Sequence, residues 1–400
     1  MYDIAKIALA FAVIVLLMRR KYNVGYVLLA ASALICVLYL MTPVRILKTM
    51  YGSITAGVTI ELTVALTFIR MLEMLLREND VLKRMSDTMR GVLRKKRFVM
   101  ISMPLLIGTL PSVGGAYFSC PMVEESAKGL GLSPEDKAFT NYWYRHPWEL
   151  ILPLYPGIVL ASLITGIGLR QFMLLNLSFA ATMLLVGPLF SMKGVNGTFE
   201  PNGKMNKSDV LSFLPLVALI VMVMVFKVRL SVGLVGVVCM LLLYYSYDRR
   251  RVASVLKYGF SPDLLVLILG VVLFKDMLES SGAVGNLSKV FIQHHIPVLS
   301  ILIILPFISG FLTGFTLAFV GSTFPLFLNM PAMTPYAYSL AFACGFIGVL
   351  LSPVHVCLVL TREFFKADMW GIYKKILPAV LLIFLVTLIQ YVILNGYYTR

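Results

Sequence analysis

Long apolar stretches separated by short polar segments run through the whole chain of 400 residues. A membrane-spanning helix needs about 20 consecutive, mostly apolar residues. Ten stretches meet this requirement, and each predicts one spanning helix: 2–18, 24–42, 53–76, 147–167, 170–191, 210–227, 230–247, 261–283, 336–361 and 374–396. The pattern therefore predicts an all-α polytopic membrane protein.

Two further apolar stretches, 98–126 and 296–328, are longer than one helix and are interrupted in the middle. Glycine, proline and hydroxyl residues form the interruptions, at 108–115 in the first stretch and at 309–316 in the second. Irregular backbone is tolerated at membrane depth only where protein or a wet cavity satisfies it. We therefore predict that each stretch is a re-entrant hairpin with two short helical arms.

The composition excludes the soluble classes of protein. Hydrophobic residues make up 59% of the chain and charged residues 14%, whereas a soluble domain has about 25% charged residues. The sequence contains no HExxH, GxSxG or P-loop motif, so no enzyme and no cofactor is predicted. The five cysteines form no CxxC motif and no Cys/His cluster along the sequence, so no metal site is predicted.

The distribution of basic residues predicts the orientation. The net charge is +16, which we assign to the positive-inside rule and not to a nucleic-acid partner. If both hairpins enter and leave on one side, one set of loops carries 25 Lys and Arg residues and the opposite set, with both termini, carries 8. This predicts a multi-pass membrane protein with both termini outside.

The two halves of the chain resemble one another. Phe68–Glu73 recurs as Phe274–Glu279, Ser133–Pro134 as Thr334–Pro335, and the other matching motifs follow in the same order. Each half then has three spans, one hairpin, a broken span and a final span, about 10 spans and 2 hairpins in all. Because five crossings is an odd number, the repeats are inverted: residues 1–191 with hairpin 98–126, a cytoplasmic linker 192–209, and residues 210–400 with hairpin 296–328. Inverted repeats with discontinuous helices are typical of secondary transporters.

The hairpin tips are the first candidate site. Backbone N–H groups and the N-terminus of each second arm point into the cavity there and favour an anion. Hydroxyl groups add donors and glycine permits close approach, although Ser and Thr at a break also satisfy their own backbone. The predicted substrate-binding residues at the tips are Thr109, Ser112, Gly114, Thr313, Gly314 and Thr316.

The broken helices are the second candidate site. Pro147 breaks the span that follows the first hairpin, and Ser352 and Pro353 break the corresponding span of the second half. Glu149 and His355 occupy matching positions after these breaks, and they are the predicted proton-coupling pair. The alternative is that they form a structural hydrogen bond that stabilises the breaks.

The sequence also predicts roles for residues near the breaks and for two charged clusters. Asn141 is a further predicted substrate ligand, and Arg145 is either a ligand or a cytoplasmic anchor. Tyr142–Tyr144 and Trp148 are typical of aromatic residues at the membrane interface. The charges of 70–73 and 275–279 are spaced three or four residues apart, which predicts structural pairing within each helix more than substrate binding.

The chain resembles the ion transporter superfamily, which includes citrate, gluconate, dicarboxylate and arsenite permeases, and within it an uncharacterised prokaryotic permease family. The architecture, the segments 108–121 and 310–325, and the run 351–361 carry this resemblance. It implies an elevator mechanism, in which hairpins and broken helices move past a scaffold in a protein that is often a homodimer. The Ser-Asn-Thr hairpin signature of sodium-coupled dicarboxylate carriers is absent, which favours a proton over sodium as the coupling ion.

These observations together predict an ion-coupled secondary active transporter of a small organic anion of the carboxylate type. Its expected partners are this solute, the coupling ion and the lipid bilayer. Two alternatives stay open: a translocase of an amphiphilic or lipid-linked phosphate that uses the same inverted fold, and an anion channel.

Overall fold

A computed structural model describes residues 2–20, 22–93, 95–111, 115–191, 195, 197–198, 210–283, 297–328, 330 and 333–398. Regular secondary structure in these residues is helical, and a single β-bridge joins Lys95 to Thr198. The structure therefore confirms the all-α class. The predicted linker 192–209 lies almost entirely outside the described residues.

The helices of the first half are α1 (Tyr2–Arg19), α2 (Val24–Leu38), α3 (Pro43–Thr55), α4 (Gly57–Glu78), α5 (Val81–Val92), α6 (Lys96–Ile107), α7 (Gly115–Ala127), α8 (Pro134–Arg145), α9 (Pro156–Thr165), α10 (Leu169–Leu175) and α11 (Leu177–Ser191). Those of the second half are α12 (Leu214–Met224), α13 (Leu230–Tyr244), α14 (Arg249–Gly259), α15 (Pro262–Ser281), α16 (Val298–Thr313), α17 (Thr316–Phe327), α18 (Pro335–Leu351), α19 (Val356–Phe365) and α20 (Met369–Tyr398). Short 3₁₀ turns occupy Pro147–Leu150 and Leu211–Phe213.

Three helical segments in the described part of the chain are long and apolar enough to cross a membrane: Leu169–Ser191, Pro335–Phe365 and Met369–Asn395. A fourth is added if α3 and α4, which meet at a bend of 49°, count as one span. Other apolar helices, such as α2 and α13, have 10–17 residues. The long apolar helices are compatible with membrane insertion, and the count of ten spans stays a prediction.

Three amphipathic helices lie where the hydropathy pattern gave no span. The chain is already helical from Pro43, ahead of the span predicted to begin at residue 53, and α5 and α14 lie within segments 77–97 and 248–260, which no predicted span or hairpin covers. A window that averages hydropathy misses such helices because their polar face cancels the apolar one. The N-cap Asp248 accepts a hydrogen bond from the Arg251 amide at 2.8 Å and starts α14.

Both predicted hairpins consist of two helical arms. α6 packs against α7 in the first hairpin, and α16 packs against α17 in the second. The helices that follow begin at the predicted caps, since Ser133 and Thr334 each accept a hydrogen bond from a backbone amide three residues later, and proline takes the next position in both.

Packing between the helices follows a paired pattern. The helix after each break packs against the second arm of the other half's hairpin, so that α19 contacts α7 and α9 contacts α17. In the same way α4 packs against α13, and α15 packs against α2. Consequently, each half of the chain completes the packing of the other around the breaks.

The aromatic residues of α8 lie inside this packed region. Tyr142, Trp143 and Tyr144 are fully buried, so their prediction as membrane-interface residues was wrong. Tyr142 donates a hydrogen bond to the carbonyl of Leu350, and Trp143 donates to that of Met183. Sequence alone does not reveal that these residues are buried, because an aromatic cluster next to a basic residue has the same composition at the membrane interface and in the protein interior.

Candidate functional site

A cavity of about 440 Å³ lies where the two breaks, the tip of the second hairpin and the helices α4 and α14 meet. Four residues predicted from the sequence line it: Glu149, Gly314, Thr316 and His355. These residues come from positions that are far apart along the chain. The fold therefore gathers the predicted coupling pair and part of the predicted anion site into one place.

The first break begins where α8 ends, at Arg145 and the C-cap His146. Pro147 cannot donate a backbone hydrogen bond, and the chain continues as a 3₁₀ turn before α9 starts at Pro156. The second break spans 352–355 between α18 and α19. Pro147 thus lies between α8 and α9, and Ser352 and Pro353 lie between α18 and α19.

A chain of polar contacts connects the two breaks. Thr316 Oγ1 donates a hydrogen bond to Glu149 Oε2 at 3.1 Å, and Glu149 Oε1 lies 3.7 Å from His146 Nε2. His146 Nε2 is 3.1 Å from His355 Nε2, and His355 Nδ1 is 2.7 Å from the carbonyl oxygen of Gly314. Glu149 and His355 do not touch directly, because His146 lies between them.

Glu149 occupies the position where the sequence predicted an external anion. Thr316 is the first residue of α17, and its hydroxyl group holds the Glu149 carboxylate at the start of this helix. A negative charge is favoured there by the helix dipole. The protein's own carboxylate thus takes the anion position at the second hairpin tip.

Three arginine side chains contribute positive charge to the cavity lining. Arg70, Arg77 and Arg145 line it together with the carboxylates of Glu73 and Glu149. The guanidinium group of Arg70 lies 4.7 Å from the ring centre of Tyr258, and its buried Nε has no hydrogen-bond partner among the described residues. Sequence reasoning assigned Arg70 to structural pairing, although a charge within an apolar span is itself a signal of function.

The neighbouring carboxylate of Glu73 has partners on two helices. Its Oε1 lies 3.9 Å from Arg77, and its Oε2 accepts a hydrogen bond from Tyr258 at 3.5 Å. The pairing expected between Arg70 and Glu73 is thus replaced by a pair with Arg77. In the second half, Lys275 lies 3.6 Å from Glu279, four residues later, and also pairs with the adjacent Asp276 at 3.1 Å, a contact that the spacing did not predict.

Three predicted substrate ligands that the structure describes lie outside the cavity. Thr109 and Thr313 donate to the carbonyls of Leu106 and Ser309 in their own helices. Asn141 is fully buried, and its amide donates hydrogen bonds towards α7 and α19. Two further predicted ligands, Ser112 and Gly114, lie outside the described residues.

One side-chain set at the edge of the cavity has the composition of a metal site. The ligand atoms of His146, His355 and Cys357 all lie within 4.8 Å of one another. The sequence showed no such cluster because 209 residues separate the two histidines. Only the fold reveals it, by bringing the two breaks together.

The fold and site define a helical protein with apolar helices compatible with membrane insertion and a charged cavity between two broken helices. The chain belongs to the family described as "Protein of unknown function (DUF401)", whose family model matches residues 4–393. No curated protein matches the sequence.

Proposed function

We propose that the protein is an ion-coupled secondary active transporter of a small organic anion. The observation that carries this proposal is the cavity between the breaks, where three arginines face two carboxylates among the described lining residues. The excess positive charge favours an anion, and a volume of about 440 Å³ is within the range of small-molecule sites. Arg70, with an unpartnered Nε, is the first candidate for binding the solute's carboxylate.

The paired packing of the helices supports an inverted repeat. When each helix is matched to its counterpart in the other half, the contact α4–α13 corresponds to the contact α15–α2. In the same way, the contact α7–α19 corresponds to the contact α17–α9. Two equivalent half-structures that differ in orientation give a carrier two states of similar energy. The same pattern favours membership in the ion transporter superfamily and an elevator motion of the hairpins and broken helices, with a dimer as the expected assembly.

The position of Glu149 supports coupling to a cation. An anion that binds at the start of α17 competes with the Glu149 carboxylate for Thr316. A cation that neutralises Glu149 removes this competition and offsets the charge of the solute during its movement. We assign this role to a proton and not to sodium, in line with the absence of the sodium-carrier signature.

The proposed location is the inner or plasma membrane of a prokaryote, with both termini outside. Lys227 and Arg250 are exposed residues that the charge distribution places on opposite sides. An impermeant thiol reagent on intact cells should therefore label Lys227→Cys and leave Arg250→Cys unlabelled. Labelling of both variants from outside would contradict the inverted topology.

Uptake into proteoliposomes tests the function. A thermal-shift screen of the purified protein against mono-, di- and tricarboxylates first selects a solute, and its uptake is then measured with a pH gradient or a sodium gradient. We expect uptake driven by the pH gradient, weakened at least about tenfold in Arg70→Gln. Glu149→Gln should retain solute exchange and lose accumulation, whereas Glu61→Gln, a control carboxylate of α4 outside the cavity lining, should keep both.

Other outcomes distinguish the remaining classes of function. Transport of amphiphilic phosphates in place of carboxylates would assign the protein to the translocases, and single-channel currents would assign it to the channels. A strict sodium requirement would overturn the proton assignment while leaving the class of transporter intact. Absence of both binding and flux for small anions would overturn the proposal as a whole.

A further inference from the structure

We propose that His146, His355 and Cys357 bind a transition-metal ion, with Zn²⁺ as the best match to their chemistry. Two imidazole nitrogens and one sulfur atom form a ligand set of the kind that zinc takes in proteins. The three atoms lie within 4.8 Å of one another, and both histidine side chains are buried. This site goes beyond the proposed transport function and depends on geometry alone.

The hydrogen bonds of the two rings fix which nitrogens are free. His146 Nδ1 lies 2.6 Å from the carbonyl oxygen of Tyr142, and His355 Nδ1 lies 2.7 Å from that of Gly314. A carbonyl oxygen only accepts, so both Nδ1 atoms must carry the proton. Each neutral ring therefore presents an unprotonated Nε2 to the other.

The two Nε2 atoms face one another at 3.1 Å. Lone pairs at this distance repel unless a cation lies between them. Two nitrogens that bind a tetrahedral zinc ion at 2.0–2.1 Å lie roughly 3.3 Å apart, so a small adjustment accommodates the ion. The Nδ1–H to carbonyl bonds then act as the outer-shell contacts that orient metal-binding histidines.

Cys357 supplies the third ligand from the first turn of α19. The dipole of this helix favours a negative charge at that position, which suits a thiolate. A proton shared by the two histidines would satisfy their nitrogens, but the sulfur atom would then contribute only a weak thiol hydrogen bond. The sulfur atom therefore favours a metal ion as the cation in this position.

The arrangement leaves a fourth ligand position on the cavity side. His355 and Cys357 both line the cavity, and Glu149 Oε1 lies 3.7 Å from His146 Nε2. Zinc sites with three protein ligands keep their fourth position for water or an anion. The ion would join the two breaks and present a positive charge to the contents of the cavity.

The metal site affects the assignment of coupling residues. A histidine that binds the metal through Nε2 cannot also carry a proton on that atom. With the ion bound, proton coupling would rest on Glu149 and not on His355. The metal proposal is therefore tested by spectroscopy of the bound ion, and the transport proposal is tested separately by measuring solute flux.

Cobalt binding tests the site. The full-length protein in lipid nanodiscs is treated with a chelator and titrated with Co²⁺, whose spectrum reports tetrahedral geometry and thiolate ligation. We expect about one Co²⁺ per chain, visible d–d bands and a thiolate-to-cobalt charge-transfer band, all displaced by Zn²⁺. Cys357→Ser should lose the charge-transfer band. His355→Ala should lose more Co²⁺ affinity relative to the wild type than the roughly 10–100-fold that loss of an outer-shell contact costs.

Matched variants keep the test decisive if one substitution impairs folding. Cys344→Ser alters another buried cysteine outside the cluster and should keep the full spectrum. Cys357→His should bind Co²⁺ without the charge-transfer band, and Zn²⁺ should raise the Tm of the wild type but not of His355→Ala. A chelated wild type that takes up no Co²⁺, or a charge-transfer band that persists in Cys357→Ser, would overturn the proposal. Metal binding without solute flux would leave this site standing and refute transport only.

Discussion

Gly314 shows how one residue connects the second hairpin tip to the second break. Its backbone has a φ of +64°, a conformation that residues with a side chain rarely adopt. A Cβ atom built there would lie 2.9 Å from the His355 nitrogen and 3.0 Å from Ser352 Oγ. The carbonyl of Gly314 also accepts the hydrogen bond that orients His355. Strain and crowding therefore act together at this position.

We expect Gly314→Ala to reduce solute uptake at least about tenfold, because the new methyl group pushes the tip away from His355. Gly282→Ala is the matched control: Gly282 has a similar φ of +81° but open space around its Cβ position. Both variants carry the backbone strain, of about 1–2 kcal/mol, and only the first carries the crowding. Equal uptake by the two variants would show that crowding at the tip has no role.

Glu135 provides a contact between the halves outside the predicted spans. It accepts a hydrogen bond from the Asp368 backbone N–H at 3.0 Å, and this bond lowers the pKa of the Glu135 carboxyl group from its usual value. A lowered pKa stabilises the folded state at pH values above the ordinary carboxyl pKa. This contribution is lost as the pH falls through the lowered pKa.

We expect Glu135→Gln to lower the Tm at neutral pH by a small amount, since the group is mostly exposed and solvent screens it. The difference between the variant and the wild type should shrink as the pH falls below the usual range of carboxyl groups. Thermal unfolding followed by intrinsic fluorescence at several pH values measures this. A difference that stays constant down to strongly acidic pH would refute the role of the Glu135 charge.

The residues that sequence reasoning identified share one property: they follow breaks that proline or glycine makes visible. Glu149, Thr316, Gly314 and His355 were found in this way, and the structure brings them together. Cys357 was missed because one of its two partners, His146, comes from the other half of the chain. The spacing of residues along the sequence does not indicate a contact between the two halves.

At the scale of the helices, α8 shows why burial is harder to predict than helix position. Ser133 and Pro134 fix its first turn, and Pro147 ends it, so its bounds follow from local chemistry. The aromatic residues and Asn141 inside it were assigned to lipid or solute, whereas they pack against protein. Hydropathy cannot tell these environments apart, because a helix enclosed by other helices and one facing lipid are both apolar.

We expect Asn141→Ala to lower the Tm while leaving the solute affinity unchanged within about twofold. Its buried amide donates to the Ala116 carbonyl at 3.1 Å and to Thr361 Oγ1 at 3.0 Å, and buried groups left unpaired cost about 1–3 kcal/mol each. Adding Thr361→Ala should cost less than in the wild-type background, because the shared contact is already lost. Weaker solute binding at an unchanged Tm would instead support the sequence-based assignment of Asn141 to the solute.

At the scale of the whole molecule, one set of helices consists of the two hairpins, each packed against the helix after the other half's break, and α2, α4, α13 and α15 pack together as a second set. The resemblance to the ion transporter superfamily implied this division, although the packing of each hairpin against the opposite half required the structure. The cavity lies between the two sets, with Arg70 and Glu73 on α4 and Gly314 and Thr316 at the hairpin tip. An elevator motion would therefore move one wall of the site past the other.

A disulfide across the boundary between the two sets tests this motion. A Cβ atom at Gly321 on α17 would lie 3.1 Å from Val271 Cγ2 on α15, so cysteines at these positions are close enough to be joined. In a background without the five native cysteines, oxidation of Gly321→Cys/Val271→Cys should abolish uptake, and reduction should restore it. In the control pair Gly233→Cys/Leu219→Cys, which joins α13 to α12, a Cβ atom at Gly233 would lie 3.1 Å from Leu219 Cδ1.

Oxidation of this control should leave uptake unchanged, because both of its helices belong to the scaffold half of the proposed elevator. The measurement is uptake in proteoliposomes before oxidation, after oxidation and after reduction, with the disulfide yield determined by the loss of free thiols. Full uptake by the oxidised Gly321→Cys/Val271→Cys variant would mean that α17 and α15 do not move apart during transport. The carrier would then have to open by smaller movements at the breaks, where His146, Glu149 and Thr316 connect the two halves.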